Sequence, residues 1–278
     1  MAAQAEVLGP WRDDDGEASA AASRLDPGSG AFREAVLVGQ HAVAAFGSPD
    51  AGSNAPDLAA NRATLATIAG WVDAHAPLGG QAGGRFLDAG CGPGGLLLAL
   101  APRFGVAVGL DVRLSVLRLA RHLAETGRAR VPFRVEGRTF EPVRIEARTA
   151  LVTLVQGDVA WPPFVAESFG VVSALSLVDT VQDPLYVLGQ LDALVAPGGL
   201  LVVASPYQWE PGATPPAAWW SDGGAATLRR ALAGAHPALP HVRYEVVDDA
   251  TDLAWTLPGT RRMSFRYHLD AVAARKLG

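Results

Sequence analysis

The chain has 278 residues, 49% of them hydrophobic, which suits one large domain or a domain with additions. Lys and Arg number 23 against 28 Asp and Glu, a net charge of −5. The basic residues are scattered, which excludes a nucleic-acid-binding stripe and argues against an anionic membrane as a partner. A single cysteine, Cys91, rules out an intrachain disulfide, and six dispersed histidines give no reason to expect a metal site.

Residues 1–28 are rich in Ala, Asp and Gly, with the acidic run Asp13-Asp14-Asp15, and read as a flexible leader. They lack the basic start and apolar core of a signal peptide. No apolar run reaches the ~18 residues of a membrane span, so a cytoplasmic chain is expected. Residues 29–84 carry two helical patterns, Phe32–Phe46 and Asp57–His75, separated by a Gly-Ser-Pro breaker at Gly47–Ser53 and followed by the glycine-rich linker Leu78–Gly84. They form an N-terminal helical segment ahead of a core over 85–278.

That core alternates strand and helix: strand 85–88, helix 94–103, strand 105–110, helix 113–126. Such spacing implies an α/β fold with a doubly wound, mostly parallel sheet. Between about 130 and 147 the alternation stops. Val131–Glu136 and Thr139–Glu146, with Gly137-Arg138 between them, predict a β-hairpin insertion. A third core strand that starts near Leu154 and ends at Asp158, then strands at 170–177 and 199–204, resume the core. Asp183-Pro184 predicts the cap and first turn of a helix. A helix over 224–234 and two strands near 241–248 and 261–270 finish the chain, a seven-stranded sheet in all.

The densest signal is Phe86-Leu87-Asp88-Ala89-Gly90-Cys91-Gly92-Pro93-Gly94-Gly95: a buried strand, a tight glycine turn and a helix start. Gly90, Gly92 and Gly95 satisfy the dinucleotide pattern G-x-G-x-x-G. Asp88 argues against a pyrophosphate, because its charge would repel that anion. A carboxylate there suits a ligand bringing a positive group. Four further stretches follow in order: Val106–Asp111, with Asp111 lying 23 positions after Asp88; Leu154–Val159, with Gly157-Asp158; Gly170–Leu177; and Leu194–Val203.

In these five stretches the chain resembles the class I S-adenosylmethionine-dependent methyltransferases. The resemblance implies S-adenosylmethionine as cofactor, a Rossmann-like sheet of seven strands, and the first helices as a lid. It implies that Asp88 faces the cofactor's ammonium and that the backbone at Gly90, Cys91 and Gly92 cradles its methionine part. Asp111 would take the ribose hydroxyls and Val112 pack on adenine. Asp158 would accept from the adenine amino group with Val159 supporting the ring, and Ser176 and Leu177 would contact the methionyl end. On the residues alone, Cys91 packs as a small side chain, and Arg62 either meets the cofactor's carboxylate or faces solvent.

The acceptor should lie above the fourth core strand. Asp179 and Thr180 follow its tip, and Asp179 either orients or deprotonates the acceptor or caps the next helix. Tyr207 and Trp209 follow the fifth strand, as aromatic walls for a nitrogen heterocycle or as core. His268 is a further candidate base, although Tyr267 and His268 alternate faces, so at most one points inward. Trp219, Trp220 and Trp255 read as core.

The hairpin before Gln156-Gly157-Asp158, the Ser205–Trp209 turn with Thr214-Pro215 and Trp219, and the late Leu253-Ala254-Trp255 loosely resemble the mercaptohistidine N-methyltransferase domain of ovothiol biosynthesis. That resemblance implies a small-molecule acceptor methylated at an amine or imidazole nitrogen. The alternatives are O-methylation of a small metabolite, an NAD(P)-dependent oxidoreductase, or a non-catalytic S-adenosylmethionine-binding protein. A monomer or homodimer is expected.

Overall fold

The computed structural model describes residues 17–47, 58–77 and 84–278. Its centre is a seven-stranded sheet in the order β5-β2-β1-β6-β7-β9-β8. The strands are β1 (Arg85–Ala89), β2 (Val106–Asp111), β5 (Thr153–Gln156), β6 (Phe169–Leu175), β7 (Val195–Ser205), β8 (Tyr244–Thr260) and β9 (Met263–Lys276). Five run parallel, whereas β9 is antiparallel to β7, and β8 to β9. The order reverses between β1 and β6, and at such a switch point the strands' carboxyl ends leave a crevice for ligands.

The parallel strands read as continuous apolar runs because helices cover both faces. Leu87, Val172, Val203 and Val272 point to one face, under α6 (Pro184–Leu194) and α7 (Gly224–Leu232). Phe86, Val171, Val202 and Ala273 point to the other, under α3 (Ala59–His75) and α4 (Gly95–Leu100). Each fully buried Leu or Phe contributes about 1.5–3 kcal/mol. The cap predicted for α6 is present, with Asp183 Oδ1 accepting from Tyr186 N at 3.0 Å.

The predicted hairpin is a separate two-stranded sheet, β3 (Arg128–Glu136) with β4 (Thr139–Glu146). Its apolar face, Val131, Phe133 and Ile145, packs on α2 (Gly30–Phe46) and α5 (Leu114–Thr126). The leader reading needs correction. Residues 1–16 lie outside the described residues, but Glu17–Ser23 is a helix, α1. Ala21 and Ala22 are fully buried beside Phe32 and Phe140, and Ser23 Oγ accepts from Phe140 N at 3.0 Å. Small side chains that look like a mobile tail in sequence are what close helix-on-hairpin packing needs. The breaker's residues 48–53 and the linker's 78–83 also lie outside the described residues.

The two late strands are longer than predicted and form one hairpin. Register shifts at Val246/Asp248, Ala250/Leu253 and Pro258/Thr260 interrupt the alternation that marks a strand in sequence. The N-terminal helices are stitched to this hairpin. Buried Asn61 donates Nδ2 to Ala44 O at 2.9 Å and Thr256 O at 2.8 Å, and its Oδ1 accepts from Thr256 N at 2.7 Å. Gln40 Nε2 donates to Gly259 O at 3.0 Å. No helix among the described residues is long and apolar enough to cross a membrane.

Candidate active site

The glycine turn after β1 is left-handed at Gly90 (φ 71°), Gly92 (φ 52°) and Gly94 (φ 94°), a path that side chains beyond glycine resist. It is pinned to β2 because Gly90 N and Cys91 N both donate to Leu110 O, at 2.8 and 3.0 Å. A Cβ on Gly92 would meet nothing within 4 Å, so open space lies before the turn. A Cβ on Gly90 would lie 2.9 Å from Leu177 Cδ1, so the turn after β1 touches the loop after β6.

Asp88 pairs in register with Gly109 on β2 and Ser173 on β6. Its carboxyl is only 4% exposed, and Oδ1 accepts from Ser173 Oγ at 2.7 Å. Burial pushes its pKa up to about 7, against the pull of hydrogen bonds from Ser173 and the Leu97 backbone. Asp88 is thus enclosed beside the start of α4, not displayed on the crevice surface. The Cys91 thiol is buried too, and burial, then the charges of Asp88 and Asp111, hold it protonated. It is a packing residue and no nucleophile.

At the tip of β2, Asp111 Oδ2 accepts from Gly92 N at 2.9 Å and Oδ1 from Arg113 N at 2.8 Å. Val112 is 60% exposed, an apolar surface with room for a partner. Asp158 is exposed, with Oδ1 accepting from Ala160 N at 2.8 Å, while Val159 is buried in the core. Ser176 is exposed and left-handed (φ 49°), and its N–H donates to Ala204 O at 2.7 Å. Burial, then the Arg113 charge, lowers the pKa of His41 on α2 to about 4, and Ser115 at the start of α5 donates to Glu34 on α2, which sets α2 beside the segment after β2. Arg62 is exposed. These features fit S-adenosylmethionine. There is room ahead of Gly92, an enclosed carboxyl whose ionisation a nearby cation would favour, a carboxylate at Asp111 and an uncovered apolar side chain at Val112.

The region after β6 and β7, where the acceptor was expected, is built differently. Asp179 is 2% exposed and does not cap α6, a role held by Asp183. Its Oδ2 accepts from Gln208 N at 2.9 Å, and Oδ1 has no partner among the described residues. Burial raises its pKa, offset in part by hydrogen bonds beginning with the Ser205 side chain. Exposed Thr180 is occupied locally, its hydroxyl donating to Leu177 O at 2.9 Å. Tyr207 is left-handed (φ 51°), costly for a bulky residue. Its hydroxyl donates to Asp270 Oδ2 at 2.9 Å, and Arg229 braces Asp270 at 3.0 Å and Asp249 at 2.8 Å. A Cβ on Gly224 would lie 2.1 Å from Tyr207 Cγ, so glycine at the start of α7 makes room for that ring. Tyr207, Trp209 and Trp220 form a cluster with centroids 5.5–6.2 Å apart.

His268 does not join this group. It is exposed and bonds Asp252, whereas half-buried Tyr267 faces the charges of Asp179 and Glu210, which after burial raise its pKa. The sequence reading missed Ser173, Ser205, Arg229 and Asp270. The two serines carry a signal, a lone hydroxyl inside an apolar strand. Arg229 and Asp270 carry none, since only the folded sheet brings α7 to β9.

A family model described as a methyltransferase domain matches residues 60–257. A ubiquinone biosynthesis O-methyltransferase of Paracidovorax citrulli is 32% identical over 131 residues, 47% of this chain and 45% of that protein. One from Thiobacillus denitrificans is 34% identical over 130 residues, 46% of each. The chain spans about half the length of the curated relatives it matches. A solved magnesium protoporphyrin IX methyltransferase of Synechocystis PCC 6803 aligns with TM-score 0.48 and 17% identity, covering 79% of this chain and 81% of that one. The matched segment runs from α3 through the glycine turn and all five parallel strands into β8, and the chain belongs to the methyltransferase-domain family, using S-adenosylmethionine.

Proposed function

We propose that this chain transfers a methyl group to a hydroxyl oxygen of a small molecule. The observation that carries the reading is Asp179: a buried carboxylate beside the tip of β6, raised in pKa, with Oδ1 unpartnered. A hydroxyl must lose its proton to become a good nucleophile, and a carboxylate with raised pKa is the stronger base. The O-methyltransferase names of the curated relatives support oxygen over the nitrogen to which the ovothiol resemblance pointed.

When bound, S-adenosylmethionine supplies an electrophilic methyl on a sulfonium sulfur. The chain's residues do the rest. The glycine turn and Asp111 hold the donor, and the N-terminal helices beside β2 act as a lid that keeps water out. The acceptor's O–H proton passes to the Asp179 carboxylate, which is sealed in this structure and must open to the acceptor. Tyr207, fixed by Asp270 and Arg229, forms a wall beside the acceptor. Positioning of this kind contributes on the order of 7–11 kcal/mol.

A second reading keeps nitrogen, because the Tyr207–Trp209–Trp220 cluster next to a carboxylate also suits an ammonium or imidazolium. S-adenosylhomocysteine release with 4-hydroxyacetophenone, benzylamine and imidazole separates the two. Turnover of the phenol is expected. Methylation of the amine or imidazole with an inert phenol overturns the oxygen reading.

A further inference from the structure

Asp179 is enclosed, its carboxylate held by the Ser205 side chain at the end of β7 and by Gln208 N just beyond it. A carboxylate so placed meets an acceptor only when its cover moves. The segment fastened over it is 208–219, between β7 and α7. Of that segment's side chains only Thr214 is buried, and Thr214 is polar. Trp209, half-buried against Tyr207 and Trp220, is its aromatic hold. Segments with few buried apolar contacts are the ones that open locally, below global unfolding.

The segment's backbone bonds close on themselves. Ala213 N and Thr214 N donate to Glu210 O at 2.9 and 2.8 Å, Ala218 N to Pro215 O at 2.8 Å, and Trp219 N to Pro216 O at 3.3 Å. Trp219 Nε1 adds a bond to Thr214 O at 2.8 Å. A unit bonded to itself can move as one body. Three side chains or amides fasten it to the turn Val178–Thr180 and the residues after it. Gln208 N donates to Asp179 Oδ2 at 2.9 Å, the Thr214 hydroxyl to Asp179 O at 3.0 Å and Val181 O at 2.8 Å, and Gln182 Nε2 to Ala213 O at 3.1 Å.

Left-handed backbone brackets the segment, at Tyr207 (φ 51°) before it and Gly223 (φ 89°) after it. That conformation is costly for a bulky side chain, and such strain collects at segments with two states. Gly223 takes it freely, so the chain can turn at both ends.

We propose that residues 208–219 form a flap that seals Asp179 when shut and lifts to admit the acceptor, with the Thr214 hydroxyl as its latch. Lifting takes the Gln208 N–H off Oδ2 and opens the carboxylate to the acceptor's proton, while Ser205 on the sheet keeps it in place. The inference rests on the reading of Asp179 as base, and its test reads motion apart from turnover. Hydrogen exchange of the full chain, saturated with S-adenosylhomocysteine, compares the amides of Gln208, Ala213 and Thr214 with those of β6. The flap amides are expected to exchange at least about tenfold faster. Thr214→Val, which removes the latch at constant shape, should speed them by about a further threefold and leave β6 unchanged, which also reports that it folds. Gln182→Cys with Ala213→Cys, bridged by dibromobimane, ties the flap shut, and the native Cys91 is buried away from the linker. The bridged chain should keep its S-adenosylhomocysteine affinity and lose turnover by about 10²-fold, while the unbridged variant keeps wild-type turnover. Turnover is read with 4-hydroxyacetophenone, benzylamine or imidazole, whichever the wild type methylates. Flap amides no faster than β6, a Thr214→Val that moves both sets alike, or full turnover in the bridged chain overturns the flap. The expected exchange and bridging results with only benzylamine or imidazole methylated overturn the oxygen reading and leave the flap standing.

Discussion

The two halves of the crevice are built by different means. On the donor side, around β1, β2 and β5, the geometry comes from backbone: a left-handed glycine turn, N–H groups donated to Leu110 O, and carboxylates at strand ends. On the side we propose for the acceptor, around β6, β7 and β9, it comes from side chains distant in sequence, such as Asp179 with Gln208 and Tyr207 with Asp270 and Arg229. Backbone geometry is written locally and gives many chains the same donor site. Side-chain networks can be rewritten one residue at a time, so acceptor choice can vary on a constant frame.

The largest effect that would test this division is at Asp179. Asp179→Asn keeps the Gln208 contact and removes the base. It should lower kcat by about 10²- to 10⁴-fold while leaving S-adenosylhomocysteine affinity unchanged in a binding titration. Wild-type turnover would take the acceptor side's chemistry away from Asp179.

The donor-side counterpart is Asp88→Asn, which tests the ammonium contact implied by the resemblance: it should weaken S-adenosylhomocysteine binding by about 100-fold, because a charge pair of that kind is strong. It carries a second signature. The folded pKa of about 7 lies above the ordinary 3.8, so between those values the folded chain holds the extra proton. Stability contributed by that proton is full below about 4 and is lost as pH rises through about 7. The loss is on the order of 4 kcal/mol. Without ligand, Asp88→Asn should therefore melt higher than wild type at pH 8 and show no such advantage at pH 4. An equal difference at both values would mean that Asp88 is ionised throughout.

Tyr207→Phe should have a smaller effect, raising KM by about tenfold with little change in kcat, since it loses one hydrogen bond to a charged partner and keeps the ring. Asp270→Asn should act in the same direction. If the two together cost no more than either alone, the bond between them is the relevant contact.

What was legible in the sequence follows the same division. The alternation of strands and helices, the glycine turn and the acid ending β2 could be read because each depends on a few consecutive residues. The cap of α6 could be read from Asp183-Pro184. The late hairpin was cut short because bulges and Pro258 break the two-residue period while the ladder continues around them. Helix α1 reads as a tail in sequence because a run of alanines has no amphipathic signature, and only the hairpin it meets makes it a buried element. Asp179 could be placed near the site, and Asp183 taking the cap of α6 removes that role from it.

His268 makes the smallest and sharpest test. As a titratable residue in the last strand, it was a candidate base from sequence. In the fold its side chain is 57% exposed and paired with Asp252, itself 75% exposed. Tyr207 and Asp179 are instead engaged with Asp270, Gln208 and Ser205. A solvent-facing pair of this kind contributes about 0–1 kcal/mol and is screened by salt. His268→Ala should therefore keep kcat and KM within about twofold of wild type and leave the pH profile unmoved. A tenfold fall in kcat together with loss of the profile's acidic limb would put the base on β9. It would also mean that the end of the late hairpin folds over the acceptor during turnover, so that the acceptor side is completed by motion and not by the packing described above.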